Sequence, residues 1–230
     1  MSVESAARRV RSLDDDARRT LVYTAAVANT LVLLQLVYAI TADRPVTRVW
    51  IYPVVWFTVG AWALFRTSPA PARRRTKWAA TAVGAGYFLL LSFAGGLVGV
   101  SPGVATGLTI QVTELPPGWN PAVLYTGDTV RVALSPYPAF GYAVLSYLVY
   151  ATAVEAEHAV AGGVLGLFSC VSCTLPVLAS LLGGFVGGAG ALTAAASSLT
   201  YGLGTVVFVV TVLLLTYRPG LGWVRRVTGG

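Results

Sequence analysis

The sequence predicts an all-α fold: a polytopic membrane helix bundle of about six spans, with cytoplasmic N and C termini and a small outer β-hairpin loop. Three observations carry this. The 230-residue chain is 56% hydrophobic and 11% charged, with mean hydropathy +0.71, whereas an ordinary soluble domain is about 25% charged. Apolar runs of about 18 residues or more recur, long enough to cross a hydrocarbon core about 30 Å thick. The basic residues behind the net charge of +7 gather at the ends of those runs. They form no basic face with interleaved aromatics, which excludes nucleic acid as a partner and leaves the lipid bilayer of the plasma membrane.

Residues 1–20, "MSVESAARRVRSLDDDARRT", are polar and form a cytoplasmic N-terminal stub. Ser12 followed by Asp15 reads as a capping box, and the Asp14–Asp16 run favours a helix N-terminus. A cleaved signal peptide is the rival reading, but the apolar run that follows exceeds the ~7–15 residues of a signal core, so it is expected to stay as an anchor. The six-span membrane domain, 21–217, is expected to cross at Leu21–Thr41, Val49–Phe65, Trp78–Val100, Tyr137–Val154, Ala159–Leu182 and Leu199–Tyr217. Gly183–Ser198 is rich in glycine and alanine and could form a half-span or re-entrant piece, giving seven. Residues 218–230 are the cytoplasmic tail.

The distribution of positive charge tests that count. With the N terminus inside, thirteen of the sixteen basic residues are cytoplasmic, and only Arg44, Arg48 and Arg131 lie outside. A seventh span would put Arg218, Arg225 and Arg226 outside. Six spans fit better. Small residues at four-residue steps, Gly95–Gly99–Gly103 and the paired glycines of 183–188, read as close helix packing in lipid. Trp50, Trp56, Trp62, Trp78 and Trp223 sit mostly near segment ends, as an aromatic belt would. No charged residue lies in mid-span, which argues against ion-coupled transport. Asn29 and Gln35 are uncharged and read as ties between helices. Glu155, Glu157 and His158 read as a solvated connector, and Asp43 with Arg44 as an interfacial pair.

One loop is long, 101–136, and this topology puts it outside. Thr109–Glu114 alternate in strand fashion, and Thr126-Gly127-Asp128-Thr129 is a turn between Ala122–Tyr125 and Val130–Leu134. The string "WNPAVLYTGDTVRVAL" resembles the opening strands of cupredoxin domains. The loop holds no Cys, His or Met, so this likeness supports a hairpin and no copper site.

The chemistry concentrates in "GLFSCVSCTLPVLASLLGG", Gly166 to Gly184, which holds both cysteines of the chain. Gly162, Gly166 and Cys170 are four residues apart, and Cys173 follows three later on the same helical stripe. Pro176 then removes a backbone hydrogen bond. Cys170 is about 11 residues past the cytoplasmic end of its expected span, near the bilayer midplane or slightly outward. Such a pair can cycle between dithiol and disulfide. It can also grip a soft ion such as Cu(I) or Hg(II), or simply pack as two small apolar residues. His158 lies about 18 Å along a helix from Cys170, too far to be a co-ligand.

"GLFSCVSCTLP" resembles the first-helix motif of the cytochrome c biogenesis/DsbD-type transmembrane family, and "YGLGTVVFVVTVLLL", Tyr201 to Leu215, resembles a later helix of it. That resemblance implies passage of reducing equivalents across the membrane, with Cys173 as the reactive cysteine. It departs in that both cysteines share one helix, where the family puts the partner on a distant one. "SCVSCTLPVLASLLGGFVGG" also resembles mercuric-ion transport proteins, which use adjacent cysteines and are smaller. Three functions therefore stand: thiol–disulfide transfer with Cys170 and Cys173 as the redox pair, soft-metal passage through the same pair, and a non-catalytic membrane subunit. With no second pair in the chain, the first requires a partner thiol protein or a quinone.

Overall fold

The computed structural model describes residues 14–43, 45–100, 105–112, 116–156 and 192–217. Over these the chain is mostly helical, with five α-helices and one small antiparallel sheet. Helix α1 runs Asp15–Thr41. It starts six residues before the expected span because Asp14 caps it, its carboxylate accepting from the Asp15 amide at 3.0 Å, with Asp15 and Asp16 in the first turn. The expected cap Ser12 lies outside the described residues. A 3-10 turn, Arg48–Trp50, leads into α2, Ile51–Arg66, and α3 follows at Arg74–Ala94. Helices α4, Pro136–Ala156, and α5, Leu192–Tyr217, complete the set.

Three stretches, Asp15–Thr41, Arg48–Arg66 and Arg74–Ala94, are long and apolar enough to cross a membrane, and Gly202–Tyr217 is a shorter apolar helix. The chain thus has the build of a membrane protein, although the expected count of six is not reached among the described residues. The expected fifth span, Ala159–Leu182, lies outside them. Of the candidate re-entrant piece, residues 192–198 continue into α5, and the remainder is likewise outside.

The third expected span needs correction. The apolar run extends to Val100, but α3 ends at Ala94. Gly96 takes φ +76°, a left-handed conformation that stops a helix, and Val98–Val100 forms strand β1 instead. The stripe Gly95–Gly99–Gly103 is therefore not a helical face: Gly95 caps α3 and Gly99 lies in β1. The expected hairpin is present, as β3, Ala122–Thr126, and β4, Val130–Leu134, but it is the centre of a larger sheet. With β2, Gly107–Gln111, the order is β1-β4-β3-β2, every pair antiparallel. Gly127 closes the hairpin turn, its amide donating to the Val130 carbonyl at 2.9 Å.

Side-chain contacts fix the helix directions. Tyr23 meets Phe65 and Tyr38 meets Trp50, at 5.7 and 5.6 Å between ring centroids, so α1 and α2 are antiparallel. Phe57 meets Phe140, and the Tyr147 hydroxyl donates to the Thr67 carbonyl, so α4 runs parallel to α2. Trp56 meets Phe208 and Trp62 meets Tyr217, so α5 is parallel to α2 as well. Gly84 lies against Ser146 and Tyr150, and Gly95 against Tyr142, so α3 is antiparallel to α4. One end of the bundle carries Arg66, which stacks over the Tyr217 ring at 5.5 Å. The sheet adjoins the other end.

The core sits where α2, α4 and α5 meet. Phe208, Val144, Leu145, Leu148 and Val212 are buried there around Trp56. The Trp56 indole stacks flat on Phe208, with centroids 4.1 Å apart, and receives Tyr137 edge-on at 5.4 Å. Its Nε1 donates to Thr205 Oγ1 at 3.0 Å. Trp50 and Trp56 are thus interior anchors rather than belt residues, whereas Trp78 is 67% exposed, as a belt position would be.

Candidate functional site

Cys170 and Cys173, the sequence-predicted pair, lie outside the described residues, as do His158, Glu157 and Pro176. The chain has two cysteines and one histidine, and all three fall in the single segment 157–191. The described helices fix where that segment starts and finishes. Helix α4 runs from the sheet end to the Arg66 end, and α5 starts at the sheet end and runs the same way. The last described residue of α4 and the first of α5 therefore lie at opposite ends of the bundle.

Outside this segment, the chemically capable groups are few. Among the described residues no three of His, Cys, Asp and Glu come together as a metal-binding group. Glu155 is half-buried in the last turn of α4. Gln35 is the buried polar residue of α1, 7% exposed. Its Nε2 donates to the Pro117 carbonyl at 3.0 Å, tying α1 to the loop before β3, whereas the expected tie was between helices; the Trp50 carbonyl, just ahead of α2, is 3.5 Å away. Gln35 Oε1 finds no partner among the described residues. Asn29, expected to act similarly, is exposed on α1.

Beside Gln35 a cavity of about 220 Å³ opens between α1 and α2, walled by Val32, Leu36, Val46, Trp50 and Val54. Its lining is almost wholly apolar, without a group that could take or give a proton. Sequence reading did not find it, because it arises from the gap between two helices rather than from a motif. The loop 116–121 caps the same end: Trp119 Nε1 donates to the Val49 carbonyl at 3.0 Å, and its ring lies 4.6 Å from that of Tyr137.

Comparison with known proteins gives a family and nothing finer. No curated protein and no solved structure matches the chain. One family model, described as a family of unknown function, matches residues 1–222, nearly the whole sequence. The chain belongs to that family, DUF7546.

Proposed function

We propose that this protein is a six-span plasma-membrane protein that transfers thiol–disulfide equivalents through Cys170 and Cys173. The observation that carries the proposal is that the only two cysteines stand three residues apart in a segment whose two ends lie at opposite ends of the bundle. Helix directions support the span count. Helices α1 to α4 alternate in direction, and α5 repeats that of α4, so one further crossing between them restores alternation. The clustering of basic residues near Arg66 supports a cytoplasmic placement of that end.

In the proposed exchange one thiolate of the pair attacks a disulfide of a partner protein, forming a mixed disulfide and releasing one partner thiol. The second cysteine then attacks the mixed disulfide, closing Cys170–Cys173 and freeing the other partner thiol. Two electrons and two protons pass to the partner. A second dithiol protein, or a quinol, returns them. In a helix, residues three apart have Cβ atoms about 5–6 Å apart, whereas a disulfide needs roughly 3.5–4.5 Å. Pro176 withholds the amide that the Ser172 carbonyl would accept in such a helix, which eases that closure.

Thiol labelling of the purified protein, before and after reductant, tests this. The expected result is two extra labels per chain after reduction of an oxidised sample. A pair that stays reduced under every oxidising treatment sinks the redox reading. Full retention of bound Cu(I) or Hg(II) by Cys170→Ser would likewise remove the pair from soft-ion passage and leave the packing role.

A further inference from the structure

The four-stranded sheet is two-faced, and its register produces this. Residues paired across antiparallel strands share a face, and alternate residues along a strand occupy opposite faces. Leu108 pairs with Tyr125, Tyr125 with Val132, and Val132 with Val98. Two residues along, Ile110 pairs with Val123 and Val123 with Leu134. All four strands therefore turn most of their large apolar residues to the same side. The opposite face carries Thr109, Thr126 and Arg131, with Leu124 its only large apolar residue among the described side chains.

The apolar face is uncovered by the described residues. Val100 is 74% exposed, Leu108 67% and Ile110 64%. A contiguous apolar surface of this kind marks a contact with a partner or a membrane. Its tethers favour the membrane. Strand β1 begins four residues after α3 ends, and β4 ends two residues before α4 begins. At about 3.3–3.6 Å per residue the sheet is held within roughly 14 Å of one helix end and 7 Å of the other. Leu89 and Phe93, in the last turns of α3, are 67% and 64% exposed, so the helix end to which β1 is tethered is itself apolar on its outside.

We infer that the sheet lies flat on the outer leaflet, its Leu108/Ile110 face set among lipid acyl chains and its Thr109/Arg131 face turned to water. This rests on α3 and α4 crossing the bilayer but not on any role of the cysteines. Apolar surface held at an interface sinks about 5–10 Å below the headgroups. The sheet then acts as a raft that fixes the height of the outer loop.

The test uses single cysteines at positions 89, 108, 109, 110 and 131, in a chain also carrying Cys170→Ser and Cys173→Ser. Each is spin-labelled in phosphatidylcholine–phosphatidylglycerol nanodiscs, and collision with oxygen is compared with collision with a water-soluble nickel chelate. Positions 108 and 110 are expected to show an oxygen-to-nickel ratio several-fold above that at 109 and 131, close to the ratio at 89. Nickel access at 110 equal to that at 109 overturns the proposal, because the face is then in water. Shielding of 108 and 110 from both reagents also overturns it, because protein, from this chain or a second copy, then covers the face. Loss of oxygen access at 89 instead removes the membrane-crossing reading on which it rests. Where the serine background does not assemble, the same labels in the wild-type background, read above the signal of the unsubstituted chain, decide between these outcomes.

Discussion

At Gly141 a hydrogen stands where a methyl group would run into the six-membered ring of Trp56 and come within 3.2 Å of Phe208. The Trp56 ring is held from other sides by Tyr137 and by its hydrogen bond to Thr205, and Phe208 is buried and stacked flat on it, so neither has room to yield. Gly141→Ala is expected to destabilise the protein by about 1–3 kcal/mol, the usual cost of overpacking. Thermal unfolding in nanodiscs reads this as a lowered midpoint. Gly204→Ala is the matched control: nothing lies within 4 Å of the place its methyl would take, and alanine in a helix gains about 0.5–1 kcal/mol over glycine. Equal midpoints for the two variants would refute the packing account. Sequence did not reveal Gly141, because the residue it makes room for, Trp56, reads as a belt tryptophan. Indole serves both belt and core, and only contact with Phe208 tells them apart. Gln35 was legible as a tie, whereas its acceptor, 82 residues away, was not.

Helices and strands were legible to the extent that their periodicity was local. The hairpin β3–β4 appears in the sequence because its turn and both strands lie within Ala122–Leu134. Strand β1 does not, since "VGV" at the end of an apolar run is indistinguishable from one more helical turn. Its partner residues Val130–Val132 lie some thirty positions on. Helix directions are likewise tertiary facts, and they can be checked by cross-linking. In the Cys170→Ser, Cys173→Ser chain, Tyr23→Cys with Phe65→Cys should be joined by a short bifunctional thiol reagent, since those side chains are neighbours. Tyr23→Cys with Trp50→Cys should not, because Trp50 lies at the other end of α2 beside Tyr38. The reverse pattern would mean that α1 and α2 run parallel.

For the whole molecule, Asp14 and Tyr217 both fall at the Arg66 end of the bundle. Tags placed at the two termini should therefore be accessible from the same side of sealed vesicles, and tags on opposite sides would exclude an even number of spans. The arginine distribution already made this arrangement legible. The surroundings of the cysteine pair lie outside the described residues. The arrangement also has a consequence in time. The three helices that build the core, α2, α4 and α5, run in the same direction, so no two of them can meet as a hairpin while the chain is being made. The Trp56 indole waits for Thr205, 149 residues later, which at about 5–20 residues per second is roughly 7–30 s of synthesis. During that interval Trp56 has its α4 neighbours Tyr137 and Tyr142 but not its stacking partner, so a chain that stops before α5 leaves the Phe208 face of the indole open and its Nε1 without Thr205.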